Sequence, residues 1–88
     1  MDNRIIEQRL RQHAHELEME GGNLYRVRAY RQAADTIALL QEPLVELWAV
    51  GGRRRLQTLP GVGSHIALAL ESLMETGALP PRASVPAA

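Results

Sequence analysis

The sequence predicts an all-α domain, and three observations support this prediction. Apolar residues recur at three- and four-residue spacing in several segments, as they do in helices with one buried face. Glycine and proline interrupt this pattern between the segments. No segment alternates apolar and polar residues in the manner of a half-buried strand. The chain has 88 residues, which is enough for at most one domain.

The first two helices are predicted over residues 3–20 and 25–41. Asp2 or Asn3 can cap the start of the first helix, and Asn23 can cap the second, because short polar side chains accept hydrogen bonds from free backbone N–H groups. A Gly-Gly pair ends the first helix. The inward faces are expected to comprise Ile6, Leu10, Ala14 and Leu17 in the first helix, and Val27, Tyr30, Ala34 and Ile37 in the second.

A third helix begins near Pro43, since proline is tolerated at or just before a first helical turn. The pair Gly51-Gly52 breaks this helix, and a short helix then precedes Leu59. The last helix is expected to run from about Ser64 to Thr76. The predicted inward side chains are Leu44, Leu47 and Trp48 in the third helix, and Ile66, Leu70 and Leu73 in the last.

Composition narrows the classes of protein to be considered. The absence of cysteine excludes disulfides and thiolate metal sites. The first twenty residues carry eight charged side chains, so neither a secretory signal nor a membrane span is expected. We therefore expect a cytoplasmic protein, nucleoid-associated if bacterial, with a domain over residues 1–79. Residues 80–88, rich in proline and small side chains, are expected to form a flexible tail.

The charge is zero overall but unevenly distributed. Residues 26–65 contain six arginines and three acidic residues, whereas both flanking segments are net acidic. A basic region is typical of nucleic-acid-binding domains, although their overall charge is usually basic as well. Arginine supplies all ten cationic side chains, and the chain has no lysine.

The segment Leu-Pro-Gly-Val-Gly at residues 59–63 is the strongest candidate for a binding site. Its glycines permit a sharp turn whose backbone N–H groups, at Gly61, Val62 and Gly63, are left uncovered. The turn leads into the start of a helix, where free N–H groups and the helix dipole attract anions. Ser64 and His65 can add side-chain donors, while Leu59 and Val62 anchor the turn in the core. Such contacts bind phosphate without reading bases.

The same five residues can instead form only a turn between helices. The surrounding arginines favour phosphate binding over that alternative. Three lie in the second helix and three just before the turn: Arg26, Arg28 and Arg31, and Arg53, Arg54 and Arg55. Arg28 and Arg31 can also pair with Asp35 or with glutamates, which would not prevent DNA binding because surface ion pairs are weak.

Other polar residues suggest no chemistry. His13 and His15 are two positions apart, so they point to different sides of a helix and do not chelate a metal together. Both histidines are expected to be solvated. Glu16, Glu18 and Glu20 form a charged helix end, which is usually a solvated surface.

The sequence resembles a known family in two places. Residues 59–67, Leu-Pro-Gly-Val-Gly-Ser-His-Ile-Ala, resemble the helix-hairpin-helix motif of DNA repair proteins. Residues 22–34 resemble the second helix of the amino-terminal, lyase-type domain of family X DNA polymerases, as found in polymerase beta, and residues 71–77 fit that domain's last helix. The two motifs occur in the right order, and the resemblance covers about residues 3–79.

The resemblance implies a compact four-helix domain that binds gapped or single-stranded DNA, with a preference for a 5′-phosphate. It aligns Arg26 with a basic, phosphate-binding residue and Tyr30 with a tyrosine that lines the 5′-phosphate pocket. It also places His65 at the position of a phosphate-binding lysine, and Tyr25 where it can stack on a base. It also implies a monovalent cation, Na⁺ or K⁺, held by backbone carbonyls of Gln57, Leu59 and Val62. No other cofactor is expected.

One departure from the family bears on catalysis. The family's lyase uses a lysine in the last helix to form a Schiff base, and Ala69 occupies that position. No other lysine is present, and the amine of Met1 is not expected to substitute. Polymerase activity is excluded by length. The leading hypothesis is a non-catalytic DNA-binding module that recruits a separately encoded repair or polymerase protein. The alternatives are a protein-protein interaction or dimerisation module and a degenerate deoxyribose-phosphate lyase.

Overall fold

A computed structural model describes residues 1–80, which form four helices and, within that range, no strand. The predicted all-α fold is confirmed. The predicted tail at 80–88 lies, apart from Pro80, outside the described residues. The helices are α1 (Asn3–Met19), α2 (Leu24–Ala38), α3 (Leu44–Leu56) and α4 (Ser64–Thr76).

Helices α1 and α2 form an antiparallel pair around small and branched apolar side chains. Ile6, Leu10 and Ala14 on α1 and Ala33 and Ala34 on α2 have no exposed surface. The small side chains of the two alanines allow the helices to approach closely here. Two solvent-exposed ion pairs also join the helices, Arg11–Asp35 at 2.9 Å and Arg31–Glu18 at 2.8 Å, and such exposed pairs add little stability.

The helix starts are capped much as the sequence predicts. The Asp2 carboxylate accepts a 3.0 Å hydrogen bond from the N–H of Ile5, and the Asn23 side chain accepts one of 2.8 Å from the N–H of Tyr25. Asn3, the other candidate cap, instead bridges to the start of α3. Its amide donates to the carbonyl of Glu42 and accepts from the N–H of Leu44, both at 2.8 Å.

The apolar pattern predicted that the second helix would end at residue 41, but α2 ends at Ala38. The chain tightens there, because the N–H groups of Leu39 and Leu40 bond to carbonyls three residues back. Pro43 then disfavours helical conformation in the residue before it, so the helix stops short of the proline.

The break predicted at the glycine pair is present as a kink inside α3. Gly52 has φ 65° and ψ −163°, a conformation that other residues rarely adopt. The second half of α3 carries the three adjacent arginines and ends at Leu56, which is fully buried. The kink therefore allows this short helical segment to lead into the turn at residues 59–63.

The turn at residues 59–63 is fixed against α2. Leu59 and Val62 are buried, as predicted, and the hydroxyl of Thr36 on α2 donates a 2.7 Å hydrogen bond to the carbonyl of Pro60. Helices α3 and α4 are also tied together, since the indole of Trp48 donates to the Glu71 carboxylate at 2.9 Å. None of the described helices combines the length and the apolar character that crossing a membrane requires.

Candidate nucleic-acid interface

An open groove of about 680 Å³ lies between the first half of α2 and the turn that starts α4. The α2 side contributes Asn23, Tyr25, Arg26, Arg28, Ala29 and Gln32, and the α4 side contributes Gly61, Gly63, Ser64, His65 and Ile66. Two of these residues are arginines and none is acidic. The lining is therefore suited to an anion.

The backbone of the turn presents donors to this groove. The N–H of Val62 is not one of them, because it donates to the carbonyl of Leu59 at 3.1 Å. The N–H groups of Gly63, Ser64 and His65 have no acceptor within the part of the chain that the structure describes, as is usual at a helix start. These groups and the positive end of the α4 dipole are concentrated beside Gly63. The turn can thus bind an oxyanion through its backbone.

Gly61 adopts φ +75°, the left-handed region that favours glycine. A Cβ atom at this position would also lie 2.8 Å from Cγ of Gln32. The turn therefore contacts α2 closely, and Gly61 is needed for that approach. This contact sets the distance between the free N–H groups and the arginines of α2.

Arg26 and His65 line the groove and form a cluster with Tyr30, which lies behind them and does not line it. Nη1 of Arg26 lies within hydrogen-bond distance of both ring nitrogens of His65. The Tyr30 hydroxyl is 3.3 Å from Nε2 of His65, while the rest of the Tyr30 side chain is buried. Burial of part of the imidazole and, secondarily, the charge of Arg26 lower the pKa of His65. Burial likewise raises the pKa of Tyr30.

Tyr25 and Arg28 occupy the outer part of the groove. Both side chains are exposed, and Tyr25 is 80% exposed, which leaves its ring free to contact a ligand. Gln32 and Asn23 also line the groove, although the sequence analysis assigned no binding role to either. Helical spacing could have found Gln32, since it lies four residues after Arg28 and thus on the same face of α2.

Five of the predicted phosphate ligands do not line the groove: Val62 and Tyr30, which are buried, and three arginines. Arg31 points toward α1, where it pairs with Glu18, and this pairing raises the pKa of Arg31 and lowers that of Glu18. Arg55 donates to the hydroxyl of Thr58, and Arg54 is exposed on α3. Neither Arg54 nor Arg55 lines the groove.

The expectation that His13 is solvated is wrong. Its side chain is buried, and its ring meets that of Tyr30 edge-on with centroids 4.6 Å apart. His15 is exposed, as expected. No group of three or more His, Asp or Glu side chains within residues 1–80 is arranged to hold a metal ion.

The carbonyls that the resemblance assigns to a monovalent cation all belong to the turn region. The Leu59 carbonyl already accepts from the N–H of Val62, whereas those of Gln57 and Val62 accept no hydrogen bond within residues 1–80. Carbonyl oxygens with free lone pairs are suitable ligands for a hard cation. The carbonyls of Gln57 and Val62 are therefore chemically suited to a cation, and the ion itself stays a prediction.

Comparison with known proteins supports a relationship over most of the chain. A search of curated proteins finds no match. A family model described as the helix-hairpin-helix domain matches residues 1–79, which include all four helices and the groove. The chain therefore belongs to the helix-hairpin-helix domain family.

Proposed function

We propose that this domain is a non-catalytic module that binds the sugar-phosphate backbone of DNA in the groove between α2 and the turn at residues 59–63. Domains of this family generally bind DNA without sequence specificity. The observation that carries the proposal is the composition of the groove: two arginines, free backbone N–H groups and no carboxylate.

The two walls of the groove would contact different phosphates of the DNA backbone. Free N–H groups at Gly63 and Ser64 bind an oxyanion at short range, because no side chain at Gly63 covers the backbone. Arg28 can reach a second phosphate with its planar, permanently charged guanidinium. Contacts of this kind fix the position of DNA on the protein but read no base edges. Binding is therefore expected to be nearly independent of sequence.

The resemblance to family X polymerases suggests a finer preference. We propose that the module favours gaps or single-stranded segments and a 5′-phosphate end, with Tyr25 stacking on an exposed base. The high exposure of the Tyr25 ring at the edge of the groove supports this role. Stacking of a base on an aromatic ring contributes about 1–3 kcal/mol to binding. A Na⁺ or K⁺ ion held by the carbonyls of Gln57, Leu59 and Val62 would add positive charge beside the bound phosphate.

Two alternatives receive less support. A protein-dimerisation module would be favoured by negative charge around the turn, whereas none of the described residues that line the groove is acidic. A degenerate lyase would need an amine nucleophile, whereas Ala69 is fully buried and carries none. A module without its own chemistry would act by recruiting a separately encoded repair or polymerase protein to the DNA.

The proposal is tested by fluorescence anisotropy of labelled gapped DNA over a series of salt concentrations. We expect log K to fall linearly with log salt, with a slope of about −0.9 for each phosphate contacted in duplex DNA. Arg28→Gln should weaken binding and reduce the steepness of this slope. Comparing 5′-phosphate with 5′-hydroxyl ends then measures the end preference.

Arg4→Gln is the matched control, since it removes the same charge from an exposed position on α1 that does not line the groove. Arg28→Gln should weaken binding considerably more than this control. Equal losses in the two variants would show that binding depends only on overall charge, and would overturn the assignment of the groove.

A further inference from the structure

We infer that phosphate binding in this groove is coupled to protonation of His65, so that the affinity for DNA rises as the pH falls through the neutral range. This inference rests on the proposed function and concerns how the same site is regulated. It follows from the contacts that His65 makes in the free protein.

In the free protein, the groove holds His65 in its neutral form. A guanidinium can only donate hydrogen bonds, so the Arg26 Nη1 group within reach of the imidazole requires a ring nitrogen without a proton. The Tyr30 hydroxyl, 3.3 Å from Nε2, can donate to the same ring. Protonation would leave the His65 ring without a nitrogen that can accept these hydrogen bonds. The ring would then carry a positive charge beside that of Arg26.

Within residues 1–80, no neighbouring element offsets that repulsion. From α2, the groups facing His65 are the Arg26 guanidinium and the Tyr30 phenol. Behind Tyr30, α1 places the ring of His13, and on α4 the adjacent side chain is Ser64. None of the residues lining the groove is a carboxylate that could stabilise an imidazolium. The lowered pKa of His65 agrees with these surroundings.

A bound phosphate would favour the protonated form of His65 over the neutral form. Its negative charge would draw the Arg26 guanidinium away from the imidazole and favour the protonated ring, which can then donate a hydrogen bond to the phosphate. Binding therefore takes up a proton whenever the pH lies between the free-state and bound-state pKa values of His65. By linkage, the affinity would increase by up to about tenfold for each unit of pH decrease within that range.

The test is the affinity for gapped DNA between pH 6 and 8 at constant ionic strength, measured by anisotropy. The DNA must carry a 5′-hydroxyl end, because a phosphate monoester itself titrates near pH 6. Isothermal titration calorimetry in two buffers with different ionisation enthalpies then counts the protons taken up. His65→Gln is the test variant, and His15→Gln is the control because His15 is exposed on α1 and lies outside the groove.

We expect the wild type and His15→Gln to bind more tightly at pH 6 than at pH 8, by several-fold, with net proton uptake. The affinity of His65→Gln should vary little with pH, and its circular dichroism should show an intact fold. Binding without proton uptake, or pH dependence that persists in His65→Gln, would overturn this inference and leave the proposed function standing. Absence of binding at every pH would overturn both.

Discussion

The two glycines of the turn have different physical roles. Gly61 has φ +75°, and a Cβ atom there would collide with the side chain of Gln32. Gly63 has φ −89°, which any residue adopts, and apart from its chain neighbours no atom of residues 1–80 lies within 4 Å of the position that its Cβ would take. The fold thus requires glycine at Gly61 but not at Gly63. Gly63 instead leaves room for a ligand to approach the backbone.

We therefore expect Gly63→Ala to weaken DNA binding while lowering the free energy of unfolding by less than about 1 kcal/mol, a typical limit for a change at a helix cap. Gly61→Ala should lower it by about 1–2 kcal/mol, because it forces a residue with a Cβ into the left-handed region. Urea denaturation and DNA anisotropy measure the two effects. Unchanged binding by Gly63→Ala would contradict close approach of a phosphate at this position.

Some side chains could not be placed from the sequence because their surroundings come from other helices. His13 looks like a surface residue among charged neighbours, and its burial depends on the ring of Tyr30 on α2. Arg31 is separated from the groove by its contact with Glu18 on α1. By contrast, the burial of Leu59 and Val62 was predictable, since they are the only large apolar side chains within a turn that must be anchored.

The helices were more predictable than their side-chain partners. Capping residues fix the starts of α1 and α2, and α4 spans the predicted residues because a glycine bounds it on each side. Local chemistry is sufficient for such boundaries. The groove is different, because it forms only when the turn packs against α2 through Thr36 and Gln32. That contact spans more than twenty residues of sequence.

The kink in α3 allows a test of whether its geometry is needed to position the turn at residues 59–63 against α2. Gly52→Ala places a Cβ atom at φ 65° and ψ −163°, where strain typically costs about 1–3 kcal/mol. We expect a corresponding decrease in the free energy of unfolding, measured by urea denaturation. DNA affinity should also fall if relief of the strain displaces the second half of α3 and the turn that follows it.

Gly63→Ala is the matched control for stability, because its φ is ordinary and its Cβ position is open. Gly52→Ala should be clearly the less stable of the two variants. Equal stability would mean that the kink can straighten without cost, and that α3 does not need its present geometry.

The domain as a unit shows why net charge is a poor guide to its binding surface. The total is zero, yet the groove contains two arginines and no acidic side chain. Acidic residues are placed elsewhere: Glu18 and Asp35 join α1 to α2, and Glu71 contacts Trp48 on α3. Folding therefore places the acidic side chains away from the groove, and only the basic middle of the sequence indicated this separation.

The stability of the free domain should depend on pH in the opposite sense to its DNA affinity. The folded state lowers the pKa of His65 below its ordinary value of about 6.5 through partial burial and the charge of Arg26. As the pH falls below about 6.5, the unfolded chain takes up this proton before the folded chain does. The free energy of unfolding therefore decreases until the pH reaches the lower, folded-state pKa.

Urea denaturation of the wild type and His65→Gln at pH 7 and pH 5 isolates this effect, because every other titrating group is common to both proteins. We expect the wild type to lose more stability than the variant on acidification, while His15→Gln behaves like the wild type. Equal losses in all three proteins would show that His65 titrates alike in the folded and unfolded chains. The contact with Arg26 would then not hold the imidazole neutral, and any proton uptake on DNA binding would come only from the rise in the pKa of His65 that a bound phosphate causes.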